Sequence, residues 1–170
     1  MIIDVSLLLK EYGKKIILND EICLEDTPFL GETYHFVRPV KINGSITNNG
    51  KALELKAACD ACFITGCARC TKEIEVSESF DIDEILTRND GSVDENDTDA
   101  ILFEGMEIEL DDIVLNGFLM NVSGRYLCKD DCKGLCEMCG ADLNEGDCGC
   151  SDNAVSPGWE GLLDIINSNE

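Results

Sequence analysis

Six cysteines stand within 23 residues, at Cys128, Cys132, Cys136, Cys139, Cys148 and Cys150. Thiolates so closely spaced hold a tetrahedral zinc, because a two-residue gap lets both sulfurs of a CxxC turn face one ion. Gly140 follows Cys139 and supplies the positive-φ residue such a turn needs to wrap a metal. Cys128, Cys132 and Cys136 fall four apart, as they would on one helical face, but Gly134 weakens that helix. Ligands at the ends of turns are expected instead.

The remaining cysteines divide by context. Cys67-Ala-Arg-Cys70 closes a strand-like run, where a turn can present both sulfurs. Cys59 and Cys62 lie within that run, and a three-residue offset in an extended chain points side chains to opposite faces. They read as small buried hydrophobes. Cys23 has no neighbouring partner and reads as structural. Eight cysteines are left, enough for two four-thiolate sites. The expected pairing is Cys136, Cys139, Cys148 and Cys150 around one Zn²⁺, with Cys67, Cys70, Cys128 and Cys132 around a second. The second set closes a loop of about sixty residues, which metal binding can support. One or two zinc ions per chain follow, and four cysteines would also suit an iron–sulfur cluster.

Other chemistry finds little support. His35 is the only histidine; between Tyr34 and Phe36 it reads as a packed or surface residue. No nucleophile elbow or glycine-rich phosphate loop occurs, so a non-enzymatic protein is expected. A thiol oxidoreductase would need an unliganded, low-pKa cysteine.

Eleven cysteines without a basic, apolar leader point to a reducing cytoplasm and to metal in place of disulfides. No apolar run is long enough to span a membrane. The formal charge of −22 is uneven. Residues 1–56 carry seven Lys/Arg and eight Asp/Glu, whereas residues 57–170 carry six and twenty-seven. Between 73 and 112 there are sixteen acids and one base, Arg88. Such a field repels phosphate backbones, so direct nucleic-acid binding is disfavoured. It suits a basic protein partner, although solubility alone also accounts for abundant acids.

The elements that must position the cysteines are mainly strands. Residues 5–12 read as a short helix capped by Ser6 and ended by Gly13. Residues 15–30 are strand-like but ambiguous. Runs 33–46 and 51–65 read as strands joined by a hairpin turn at Asn49-Gly50. Ile74, Val76, Phe80 and Ile82 mark a half-exposed strand interrupted at Glu78. Residues 88–99 read as an acidic loop, and 109–121 as an amphipathic helix weakened at Gly117. A polar linker over 151–155 precedes a terminal helix starting at Ser156-Pro157.

Gly44, Cys67-Ala-Arg-Cys70 and the run from Cys128 through Cys132-Lys-Gly-Leu-Cys136-Glu-Met-Cys139-Gly140-Ala-Asp-Leu-Asn144 to Cys148-Gly-Cys150 together resemble the YceD family. Its members are described as large ribosomal RNA subunit accumulation proteins. The chain departs from the family pattern at Glu137, where proline is usual, at Ser156-Pro157-Gly158, and in lacking a proline before Cys128; none of these touches a sulfur. The resemblance implies a part in accumulating or processing large-subunit ribosomal RNA. The expected fold class is α+β: an antiparallel, acidic β domain over 1–127, a zinc-binding segment over 128–150, and a linker with a terminal helix over 151–170. The alternative function is a redox-responsive zinc protein whose thiols eject metal on oxidation.

Overall fold

A computed structural model describes residues 1–89 and 100–150. The described residues fold as two compact units, 1–65 with 75–89 and 100–124, and 66–74 with 125–150. The expected acidic loop falls largely on 90–99, and the linker and terminal helix on 151–170. Both stretches lie outside the described residues.

The first unit is mainly antiparallel β-sheet with one short helix. Its strands are β1 (Ile2–Asp4), β2 (Lys15–Ile22), β3 (Thr27–Phe29), β4 (Glu32–Phe36), β5 (Val40–Asn48), β6 (Leu53–Gly66), β7 (Glu73–Arg88), β8 (Ala100–Phe103) and β9 (Glu107–Glu109). β1 and β9 form a small ribbon, and the other seven form one sheet in which β6 pairs with β5, β4 and β7. Its long central strand is what the run 51–65 encodes, and its alternation buries Leu53, Leu55, Ala57, Cys59 and Ala61. The β7–β8 pairing is parallel.

The helix α1 (Leu110–Asn121) closes the core. Phe118 lies 5.1 Å from both Phe36 and Phe63, 5.6 Å from Tyr34 and 6.0 Å from Phe80, each edge-on. That arrangement suits the quadrupoles of aromatic rings. Gly117, an unfavourable helix residue, has a packing reason. A Cβ there would sit 3.0 Å from Ile82 Cγ1. Gly44 in β5 is tighter still: a Cβ would fall 2.2 Å from the Lys56 carbonyl oxygen of β6.

Several expected elements differ. The helix over 5–12 is only a 3₁₀ turn at Leu8–Lys10, because so short a segment cannot repay the cost of an α-helical nucleus. Ser6 does not cap it; its N–H donates to Asp4 Oδ1 at 2.7 Å. The single strand over 33–46 is two, β4 and β5. Pro39 restricts Arg38 and has no N–H for a ladder. Residues 15–30 resolve into β2 and β3. In the hairpin turn, Asn49 Oδ1 accepts the N–H groups of Lys51 and Ala52 at 3.0 and 2.9 Å, and Gly50 takes φ +91°.

The second unit has almost no regular structure through residue 150. One isolated bridge joins Leu135 to Asp142. Its buried centre is Cys67, Cys70 and Cys132, with Cys128 and Leu135 packed against them. A core made largely of thiols buries too little apolar surface to hold so short a segment without cross-links.

Candidate metal centre

Two turns of the same construction anchor the cysteines. In the first, Thr71 N–H donates to the Cys67 carbonyl at 2.9 Å and Cys67 N–H to the Lys72 carbonyl at 2.8 Å. In the second, Gly140 N–H donates to the Cys136 carbonyl and Cys136 N–H to the Ala141 carbonyl, both at 2.8 Å. The residue after each CxxC takes a left-handed conformation, φ +59° at Thr71 and φ +73° at Gly140. Glycine accepts this freely, and a β-branched threonine does not. Thr71 is held there by its hydroxyl, which donates to the Cys70 carbonyl at 2.7 Å, and by the two bonds that close the turn.

The sulfurs gather in two quartets: Cys67, Cys70, Cys128 and Cys132, and Cys136, Cys139, Cys148 and Cys150. Within each, all four Sγ atoms lie within 4.8 Å of one another. Cys67 and Cys132 approach to 3.8 Å, and Cys70 and Cys128 to 3.6 Å. A tetrahedron with metal–sulfur arms of about 2.3 Å has edges of about 3.8 Å, so a single tetrahedral ion fits. A multi-iron cluster, with its own sulfides, needs more room between its thiolates.

The donor chemistry agrees with a cation. Burial raises the Cys67 thiol pKa, but N–H groups of Arg69, Cys128 and Cys70 outweigh it and bring it down to about 6. Burial and bonds to neighbouring sulfurs push Cys128 up to about 12. The second quartet repeats the division. N–H groups of Cys139 and Met138 lower Cys136 to about 7, while bonds to Cys139, Cys148 and Cys136 raise Cys150 to about 12. Four thiolates this close repel one another, and a divalent cation at their centre removes that obstacle.

The two quartets differ in exposure. Cys67, Cys70 and Cys132 are buried and Cys128 is half-buried. In the other quartet Cys136 and Cys148 are half-buried and Cys139 is exposed. Around the first, Arg69 Nη1 donates to the Cys132 carbonyl at 2.7 Å, and the Arg69 carbonyl accepts Leu135 N–H at 3.1 Å. Asn144 Nδ2 donates to Cys132 Sγ at 3.4 Å.

The structure therefore brings together all eight expected cysteines, in the expected fours. It leaves Cys23, Cys59 and Cys62 outside both. Cys59 and Cys62 are buried in β6, and Cys62 Sγ donates to Glu75 Oε1 at 3.1 Å. Cys23 is exposed. His35 is exposed as well, its Nδ1 bonded to Asp26 Oδ2 at 2.8 Å. Sequence reasoning gave no part to Thr71, Arg69 or Asn144. Their places inside or between the cysteine pairs were the available signal.

The same stretch decides the family. A model described as large ribosomal RNA subunit accumulation protein YceD matches residues 55–165. The chain belongs to the YceD family. Searches of the curated proteins and of the solved structures returned no significant match. The YceD match begins in β6 and takes in both quartets, so the family's region contains the whole described cysteine-rich unit. Among the described residues, no helix is long and apolar enough to cross a membrane.

Proposed function

We propose that this YceD-family chain is a non-enzymatic, zinc-stabilised factor in large ribosomal subunit biogenesis, acting in the cytoplasm and binding a basic protein through its acidic β unit. Family membership is the observation that carries the pathway. The two thiol quartets support zinc, because sulfur ligands in a tetrahedral array favour that ion.

The distribution of charge supports the partner. In the metal-binding unit, 66–74 and 125–150 hold five Lys/Arg and seven Asp/Glu, so the acid surplus belongs mainly to the β unit. On β7, Asp81 and Asp83 are exposed at alternate positions, and Glu75 lies on the same face beyond Ser77 and Ser79. Side chains on one face of a strand recur about every 6.6 Å, which sets these acids in one row interrupted by two serines. Only Lys56 approaches these three acids among the described ion pairs, 3.7 Å from Asp83. Such a row steers a Lys/Arg-rich protein and repels bare RNA.

Affinity capture of tagged chain from nuclease-treated extract tests this reading. Recovery of a basic ribosomal or assembly protein, weakened by Asp81→Lys with Asp83→Lys, is expected. Recovery of RNA alone, unchanged by removing ribosomal proteins, refutes it. The exposure of Cys139 favours a second reading, a thiol switch that releases metal on oxidation. Peroxide treatment that leaves metal content and fold intact disposes of it.

A further inference from the structure

The geometry points to Asn144 as a positioning residue that couples the two quartets, so that metal in the exposed quartet tightens metal in the buried one. The inference rests on both quartets holding metal. Asn144 lies between Cys139 and Cys148, on the segment whose two ends supply sulfurs to the exposed quartet. Its side chain nevertheless serves the other quartet, donating from Nδ2 to Cys132 Sγ at 3.4 Å.

The amide is held from several sides. Its Oδ1 accepts Lys133 N–H at 2.9 Å, and its Nδ2 also donates to Asp142 Oδ1 at 2.6 Å. The same carboxylate oxygen accepts Asn144 N–H at 2.8 Å, fixing the backbone beneath it. Leu143 N–H donates to the Gly134 carbonyl at 3.0 Å, docking the segment two residues after Cys132. Both amide ends are thus committed, which sets the orientation that aims Nδ2 at the sulfur.

A donor to a ligating thiolate moderates its charge and fixes its direction. Loss of such partners typically costs 10–100-fold in metal affinity. Asn144 can make this bond only while its segment is folded back over Lys133 and Gly134, and closing Cys139 and Cys148 on one ion ties down both ends of that segment. Filling the exposed quartet therefore removes conformational freedom that the buried quartet would otherwise have to overcome. By linkage the effect is reciprocal.

The test is a double-mutant cycle on the full chain loaded with Co²⁺ alone. Chelator competition is followed by the thiolate-to-cobalt absorption, with Cys67→Ser and Cys139→Ser assigning the step of each quartet. We expect Cys139→Ser and Asn144→Ala each to loosen the buried-quartet step about 10-fold, and the double variant to loosen it little further. Asn144→Asp, which keeps the shape but removes the donor and adds negative charge, must loosen it at least as much. Its saturation at two tetrahedral Co²⁺ ions, read from the ligand-field bands, separates this from misfolding. Additive effects, or an Asn144→Ala step equal to wild type, overturn the coupling while wild type still binds two ions. Fewer than two ions in wild type overturns the two-metal reading itself.

Discussion

Replacing Gly140 by alanine isolates the conformational requirement of the Cys136–Cys139 turn. Gly140 takes φ +73°, and a Cβ there would meet nothing within 4 Å. The penalty is therefore backbone strain without steric clash. Holding an L-residue in the left-handed region costs about 1–2 kcal/mol. That cost falls on the closed loop and not on the open one, so it is drawn from metal affinity. At about 1.4 kcal/mol per tenfold, Gly140→Ala should weaken the exposed quartet roughly 5–30-fold. Gly146 provides the internal control, since it lies in the same segment, has open space around it and is not in the left-handed region. Gly146→Ala should change affinity less than about twofold, because strain is absent there. Zinc titration against a chromophoric chelator measures both. Equal losses in the two variants, or wild-type affinity in Gly140→Ala, would refute the reasoning. Gly134, at φ +78° with the Arg69 carbonyl oxygen 3.0 Å from a built Cβ, should be less tolerant still.

Three other outcomes are expected. Cys67→Ser should lower metal content by one ion per chain while Cys23→Ser leaves it unchanged, as read by elemental analysis of native protein. Gly44→Ala drives a Cβ into the Lys56 carbonyl oxygen and Ala57. At about 2–3 kcal/mol of overpacking it should lower the melting temperature by roughly 5–10 °C in calorimetry. Cys59, whose thiol is pushed up to about 12 by burial and then by Asp60 and Asp81, should resist iodoacetamide at pH 8. Below its pKa the thiol keeps its proton, so at that pH only about one part in 10⁴ is thiolate; mass spectrometry should find exposed Cys23 alkylated before Cys59.

The local patterns read well from the sequence where their physics is local. A positive-φ glycine after CxxC needs only that turn, and Gly140 adopts it. The alternation of β6 and the periodicity of α1 likewise depend on which faces are apolar, and both runs form the expected elements. Strands of three or four residues such as β1, β8 and β9 are too short for periodicity to register, and form through pairing. Pro39 was present in the run 33–46, but its power to split the strand exceeded the apolar pattern around it.

For the candidate metal centre, the sequence by itself picked out the candidate donors, because thiol spacing and knuckle glycine are properties of short segments. Counting showed only that eight cysteines suffice for two fours. Only the tertiary structure brings Cys67 and Cys70 to sulfur–sulfur distances of 3.6–3.8 Å from cysteines some sixty residues later. The bonds of Arg69 and Asn144 also appear only there: their places among the cysteines mark the residues, but not that Arg69 reaches the Cys132 carbonyl or Asn144 the Cys132 sulfur. Burial divided the quartets in the same way. Exposure depends on what the rest of the unit packs over each sulfur, and spacing does not encode it.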